Sequence, residues 1–183
     1  MKMRALNWAL NQYRNYKRKR HDESPENLEN SLKMLLSKCK YLFLSTHNNT
    51  GQISSRYVQP IVEWDAHTFK IWIGTSTPSR KITEIRDNPL VTLSVGHEND
   101  GANIIIYGRS TLHTDDSLKQ KFWKPEWKLF FPNGPGASDS TLICVEPEHI
   151  ELVDFKRNIF PEPFGLQSLA LRQVEGRWLA QPG

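Results

Sequence analysis

The chain begins in one periodicity and continues in another. Met3, Leu6, Leu10 and Tyr13 fall three or four apart, which predicts a helix over residues 3–19 with one apolar stripe. A second helix is signalled by Ser24 as N-cap, Pro25 in the first helical position and Glu26 in the first turn. Leu28, Leu32, Leu35 and Leu36 form its buried face. After Cys39 the pattern shortens to that of strands. Tyr41–Thr46 is a short apolar run followed by the turn His47–Gly51. Ile53–Trp64 reads as one long strand, and Asp65-Ala66 turns it into Thr68–Gly74. Next comes a short amphipathic helix with Thr77 as N-cap, Pro78 in the first position, Ile82 and Ile85 on its apolar side, and Asn88-Pro89 as its stop. Leu90–Val95 and Asn103–Thr111 are further strands, with Gly108 a bulge or a point of close backbone approach. Asp115–Lys121 reads as a short helix. Leu142–Val145 and His149–Phe155 read as two strands separated by Glu146-Pro147. In the tail, Pro161, Pro163 and Gly165 mark a loop, and Leu169–Val174 with Arg177–Ala180 forms a hairpin across Glu175-Gly176.

Strands that follow one another through turn-rich joints, with few long crossovers, predict a closed antiparallel barrel and not a doubly wound sheet. The protein is therefore read as mainly β with peripheral helices packed outside the barrel or across one end. Three segments are expected: an N-terminal basic helix over 1–23, the barrel domain over 24–157, and a tail over 158–183 whose hairpin packs on the same domain.

Charge and composition narrow the function. The 183 residues carry a net charge of +4, yet residues 1–20 alone hold Lys2, Arg4, Arg14, Lys17, Arg18, Lys19 and Arg20 with no acidic residue. The rest of the chain is thus net acidic, and a nucleic-acid partner would depend on that first cluster alone. Cations at a helix C-terminus complement its dipole, so a solvated helix end is preferred to a polyanion-binding arm. No apolar run approaches the roughly 18 residues of a membrane span, and no apolar segment follows the N-terminal cations as in a secretory signal. Cys39 and Cys144 stand far apart without CxxC spacing, which fits free buried thiols in a reducing cytoplasm. The six histidines form no HExxH pair and no metal-ligand spacing with the cysteines, so no metal site is expected. Walker and GxSxG loops are missing as well.

What chemistry remains is concentrated at the start of the helix after Gly74. There, free backbone N–H groups and the positive end of the dipole meet the hydroxyls of Thr75, Ser76, Thr77 and Ser79 and the cations Arg80 and Lys81. Such a turn suits a phosphate as well as it suits a capped surface helix. On a two-residue period Arg56 and Val58 face one way while Ser55, Tyr57 and Gln59 face the other, and the strand pairing makes Arg56 a neighbour of that turn. Arg56, Arg80 and Lys81 are expected to converge on one anion. The aromatic run Phe122–Pro132 is read as a subunit interface or pocket lid in preference to a base-stacking platform, since few cations interleave with its rings.

Three stretches in order, LFLSTHNNTGQISSRYVQP, IWIGTSTPSRKITEIRDNPLVTLSV and NIIIYGRSTL, resemble the FMN-binding split-barrel proteins of the pyridoxamine 5′-phosphate oxidase group. WKPEWKLFFPNGP and STLICVEPEHIELVDF bring the likeness nearest to the general stress protein 26 type. It covers roughly residues 28–155 and implies a split antiparallel β-barrel over the 24–157 segment. The resemblance implies that Arg56 and Lys81 bind the phosphate of FMN, with Ser79 and Arg80 beside them. The backbone of Tyr57, Val58 and Gln59 would follow the flavin and ribityl chain, Ile73, Gly74 and Thr75 would close the other side, and Asn103 stands where the oxidases place a glutamine that reaches FMN. A homodimer with FMN at its interface is also implied.

The likeness has gaps. Where the oxidases carry a lysine for the substrate's phosphate this chain has Ile61, and where they carry an Arg-x-His motif it has Phe164-Gly165-Leu166. The expected function is an FMN-dependent oxidoreductase with an unassigned small-molecule substrate and no nominated catalytic residue. A non-catalytic flavin-binding or stress-related protein is the alternative, and a true pyridoxamine 5′-phosphate oxidase the less favoured one.

Overall fold

The computed structural model describes residues 2–162 and 164–181. Met1, Pro163, Pro182 and Gly183, assigned above to the N-terminal segment and the tail, lie outside the described residues. The elements in order are α1 (Lys2–Arg20), α2 (Pro25–Ser37), β1 (Leu42–His47), β2 (Ile53–Val58), β3 (Pro60–Asp65), β4 (Thr68–Ser76), α3 (Arg80–Asp87), β5 (Leu90–His97), β6 (Ala102–His113), α4 (Asp116–Lys121), β7 (Ser140–Asp154), β8 (Leu169–Val174) and β9 (Arg177–Ala180). The strands form one antiparallel sheet in the order β2-β1-β5-β6-β7-β4-β3, with β8 paired to β7 and β9 paired to β8.

The sheet curls without closing, so the barrel is split. Its path ends are β2 and β3, which the chain joins at Gln59 without a ladder between them. Here the single strand expected over Ile53–Trp64 is corrected to two. β2 pairs with β1, whereas β3 pairs with β4, and the switch falls at Pro60, which has no N–H to donate. A second correction runs the other way. Leu142–Val145 and His149–Phe155 belong to one strand, β7, which pairs with β6 along its length and with β4 and then β8 on its other edge. The register slips by one between Tyr107 and Gly108, and this bulge accommodates Glu146-Pro147 without breaking the strand. Gly108 is needed there, since a Cβ would lie 2.4 Å from the carbonyl oxygen of Glu146.

The main core fills the inside of the sheet with Leu44, Ile71, Ile73, Leu93, Ile104, Ile106, Val145 and Ile150. α2 covers one side of it. Ser24 caps that helix by accepting from Asn27 N, and Leu28, Leu32, Leu35 and Leu36 are all at most 2% exposed. Each such leucine contributes roughly 1.5–3 kcal/mol by burial. The C-terminal hairpin joins the same core through Leu169, Leu171 and Trp178. α1 behaves differently: its helix forms as expected, but Met3, Leu6, Leu10 and Tyr13 are all more than half exposed. Among the described residues the helix is held at and just past its end, by Lys17 over the Phe160 ring, an Arg18–Glu162 ion pair, and Asp22 N donating to Asn158 O at 3.0 Å.

Two buried carboxylates fasten the other joints. Asp154 accepts from Ser31 Oγ and Arg157 Nη1, each at 2.6 Å, tying β7 to α2. Asp100, in the short 3-10 turn after β5, accepts from Lys38 at 2.6 Å and Lys156 at 3.0 Å, and these bonds bring its pKa down to about 2.

Two measurements test this architecture. Gly108→Ala should overpack the bulge and lower the unfolding free energy by about 1–3 kcal/mol, read from denaturant midpoints. Asp100 has a folded pKa below its unfolded value, so its contribution is present above pH 4 and fades as pH falls toward 2. Asp100→Asn should therefore lower stability at neutral pH and converge with the wild type near pH 2.

Candidate functional site

Polar groups converge where α3 crosses the ends of β1, β2 and β4. The helix begins two residues later than its Thr77-Pro78 signal suggests. Ser79 is the N-cap and Arg80 the first helical residue, because Thr77 is engaged elsewhere: its hydroxyl donates to Ser138 O and shares a 2.9 Å hydrogen bond with Thr141. Ser79 makes no side-chain capping bond. Its hydroxyl lies 3.3 Å from that of Thr75, which accepts from Lys81 Nζ at 2.8 Å. Thr75, Ser79 and Lys81 thus form one connected group.

Arg56 arrives from β2 on the inward-facing side, as the two-residue period requires. Its Nη1 donates to Thr46 Oγ1 at 2.5 Å and to Leu44 O at 3.4 Å, and its Nη2 donates to Glu84 Oε2 at 2.6 Å. Glu84 is the residue the sequence reading missed. It is 4% exposed, accepts a further bond from the Thr46 hydroxyl at 2.5 Å, and places Oε1 3.0 Å from Arg80 Nε. That last contact is an ion pair without hydrogen-bond alignment, so Oε1 has no hydrogen-bond donor among the described residues. The signal was present in the spacing. Glu84 stands four residues after Arg80 and three after Lys81, the separations that share a helix face.

The electrostatics are those of a cationic site with one internal anion. Burial pushes the Glu84 carboxyl up, but hydrogen bonds from Thr46 and Arg56 and the charges of Arg56 and Arg80 outweigh it and hold its pKa below the ordinary value. For Lys81 the balance goes against the charge. Burial lowers its pKa first, then the Arg56 and Arg80 guanidiniums, with Glu84 opposing. Three cations and one carboxylate leave a local excess of two positive charges.

The remaining expected site residues divide. Val58 is in the core and Tyr57 faces outward, 68% exposed, stacked on Phe43 at 4.2 Å between ring centroids. Gln59, at the strand switch, accepts from Trp127 Nε1 at 2.9 Å. The same indole covers Gly74 so closely that a Cβ there would lie 2.5 Å from the ring. Ile73 is in the core, so of Ile73, Gly74 and Thr75 only Thr75 reaches the cationic group by its side chain. Asn103 is not brought to it within one copy. It pairs with Gly96 near the start of β6, ten residues along that strand from His113, which faces Leu142 and through it Gly74, and among the described residues no hydrogen bond joins it to the cationic group.

Most rings of the aromatic run pack inward. Trp72, Phe122, Trp127 and Phe131 form a second core with Leu142 and Cys144 on the outer side of β4 and β7, leaving Leu129 and Phe130 exposed. Ile61 packs against that cluster. Cys144 is buried and Cys39 half-buried, and burial pushes both thiols up to about 11. Among the described residues no His, Cys, Asp and Glu group is placed to hold a metal, and no helix is long and apolar enough to cross a membrane.

Residues 27–164 match the family model described as "Pyridoxamine 5′-phosphate oxidase like". The chain belongs to that family. General stress protein 26 of Bacillus subtilis is 28% identical over 87 residues, which make up 46% of this chain and 61% of that protein. General stress protein 26 of Bacillus anthracis superposes with a TM-score of 0.59 at 26% identity, over 69% of this chain and 93% of its own. A general stress protein 26-related structure from Clostridium acetobutylicum has a TM-score of 0.68 at 17% identity, over 82% and 98% of the two chains. A pyridoxamine 5′-phosphate oxidase-related, FMN binding protein of Nostoc punctiforme superposes at 0.55 with 17% identity, over 78% and 86%. In this pyridoxamine 5′-phosphate oxidase-like chain, α1 precedes the matched region and the β8–β9 hairpin follows it.

The packing of Trp127 on Gly74 has a direct test. Gly74→Ala should displace the indole, shift tryptophan emission to longer wavelength, and cost about 1–3 kcal/mol of stability.

Proposed function

We propose that this protein binds FMN with its phosphate at the Arg56, Ser79, Arg80 and Lys81 group, and that it works as an FMN-dependent oxidoreductase. The observation that carries this reading is the uncompensated charge there. Two positive charges at a helix start, beside the Thr75 and Ser79 hydroxyls and the first-turn N–H groups, match a phosphate monoester dianion. The Arg56 contacts engage Nη1 and Nη2 and leave Nε–H for an incoming anion. A phosphate would also relieve the repulsion from Arg56 and Arg80 that adds to burial in lowering the Lys81 pKa. Family membership and the FMN-binding relative from Nostoc support flavin as the group that bears it. When bound, FMN supplies the redox chemistry, and the protein supplies position and electrostatics.

In this reading the backbone at Tyr57, Val58 and Gln59 lies along the flavin, with Gln59 fixed by Trp127. The protein acts as a homodimer. The outer sheet face offers a surface for it: Ile53, Tyr57, Phe43, Leu90 and Tyr107 are exposed on adjacent strands. Apolar patches of this kind mark interaction sites. A partner copy would also be the source of Asn103, which makes no hydrogen bond to the cationic group within one copy. The substrate is not pyridoxamine 5′-phosphate. Ile61 is packed into an apolar cluster and Leu166 is exposed without charge, so neither offers the anchor that a second phosphate requires.

Purified protein should carry FMN, and Arg56→Ala or Lys81→Ala should each weaken FMN by about 1.5–3 kcal/mol while leaving riboflavin unaffected. Equal affinity for FMN and riboflavin would refute the phosphate assignment. Because the Lys81 pKa is lowered, its charge is lost at a lower pH than for an ordinary lysine. FMN affinity should accordingly fall as pH rises toward 10, and Lys81→Arg should flatten that decline in a fluorescence titration. Light scattering should give a dimer.

A further inference from the structure

We infer that Glu84 is a positioning residue that presets Arg56 for the phosphate of the ligand. The inference rests on the phosphate part of the reading above and not on its flavin part. Three observations lead to it. Glu84 is buried, and a carboxylate out of water is costly unless it is paired and hydrogen-bonded. Its partners come from three elements: Thr46 on β1, Arg56 on β2 and Arg80 one turn earlier on α3. The bonds to Arg56 also have a direction. Thr46 and Leu44 take Nη1 and Glu84 takes Nη2, which fixes the guanidinium plane and spares Nε–H.

The physical consequence is preorganisation. An arginine side chain loses rotamer freedom when it is ordered. In this protein that ordering is complete before any anion arrives, so the anion does not bear it. Glu84 also sets the net charge of the group at plus two, where Arg56, Arg80 and Lys81 alone would give plus three. A carboxylate beside a phosphate site would ordinarily repel the ligand. Here it lies behind the guanidinium, 4% exposed, and acts on the ligand through Arg56.

The opposite role is a competing counter-ion that must be displaced, and the two roles predict opposite changes. Full-length wild type, Glu84→Gln, Thr46→Val and Arg56→Ala are titrated with FMN and riboflavin. The same proteins are then heated in inorganic phosphate and in chloride at equal ionic strength. Glu84→Gln should weaken FMN about tenfold, the size of one charge-assisted hydrogen bond, and leave riboflavin within about twofold. Thr46→Val, which disturbs the same network without a charge change, should move FMN in the same direction. In the Arg56→Ala background, Glu84→Gln should cost nothing further, since a residue acting through another is not additive with it.

Phosphate should raise the melting temperature of the wild type over chloride, and both network variants should lose most of that rise. Tighter FMN binding by Glu84→Gln would overturn the inference, as would an equal loss of FMN and riboflavin. So would additive losses with Arg56→Ala, or a wild type that phosphate does not stabilise. A wild type stabilised by phosphate through Glu84 that nevertheless ignores FMN would instead overturn the flavin reading and leave this inference standing.

Discussion

Glu84 brings an ionised group into a place that burial would otherwise forbid, and the cationic end of the barrel is arranged around that fact. Its hydrogen bonds come from β1 and β2, while its own backbone belongs to α3. One side chain therefore closes the angle between the helix and the sheet. Ile82 and Ile85 supply the apolar contact on the same helix, at 1% and 3% exposure. Buried ion pairs add little net stability by themselves, because desolvation offsets the attraction. Removing one partner is the costly event, since it strands the other charge. The arrangement thus fixes geometry more than it adds stability.

Much of the fold could be read from the chain, for reasons that differ by element. α2 was legible because Ser24, Pro25 and four leucines agree with one another, and its cap and burial follow from them. The last hairpin was legible because Glu175-Gly176 separates two β-rich runs and both residues take positive φ. Gly108 was legible as a bulge because only glycine tolerates a facing carbonyl at that distance. Failures came where tertiary pairing overrides local pattern. Pro60 did not interrupt the apolar run around it, yet it is the point where the strand changes partner. Pro147 did seem to interrupt one, yet the bulge absorbs it.

The site was half legible. Arg56, Ser79, Arg80 and Lys81 were visible as cations and hydroxyls near a helix start, and the structure gathers them. The spacing placed Glu84 on the face of Arg80 and Lys81 but not in the interior, because an acidic residue on a basic surface helix ordinarily serves as a solvated i,i+4 partner. Its burial depends on Thr46, which is far away in sequence and carries no signal of its own. The inward packing of most of the aromatic run was not legible for a related reason. Composition cannot distinguish rings that face solvent from rings that face Trp72, and only the outward placement of Trp72 on β4 decides it.

The excursion between β6 and β7 has a different kind of consequence. It carries α4, the Pro125–Leu129 turn and the indole that covers Gly74, and it lies against the outside of strands whose inner faces form the main core. Roof and floor are thus separately encoded. Substitutions in residues 114–139 can reshape what lies over Gln59 and Gly74 while the leucines and isoleucines that hold the barrel stay as they are. An evolving lineage could exchange the upper wall of this region and keep its foundation intact.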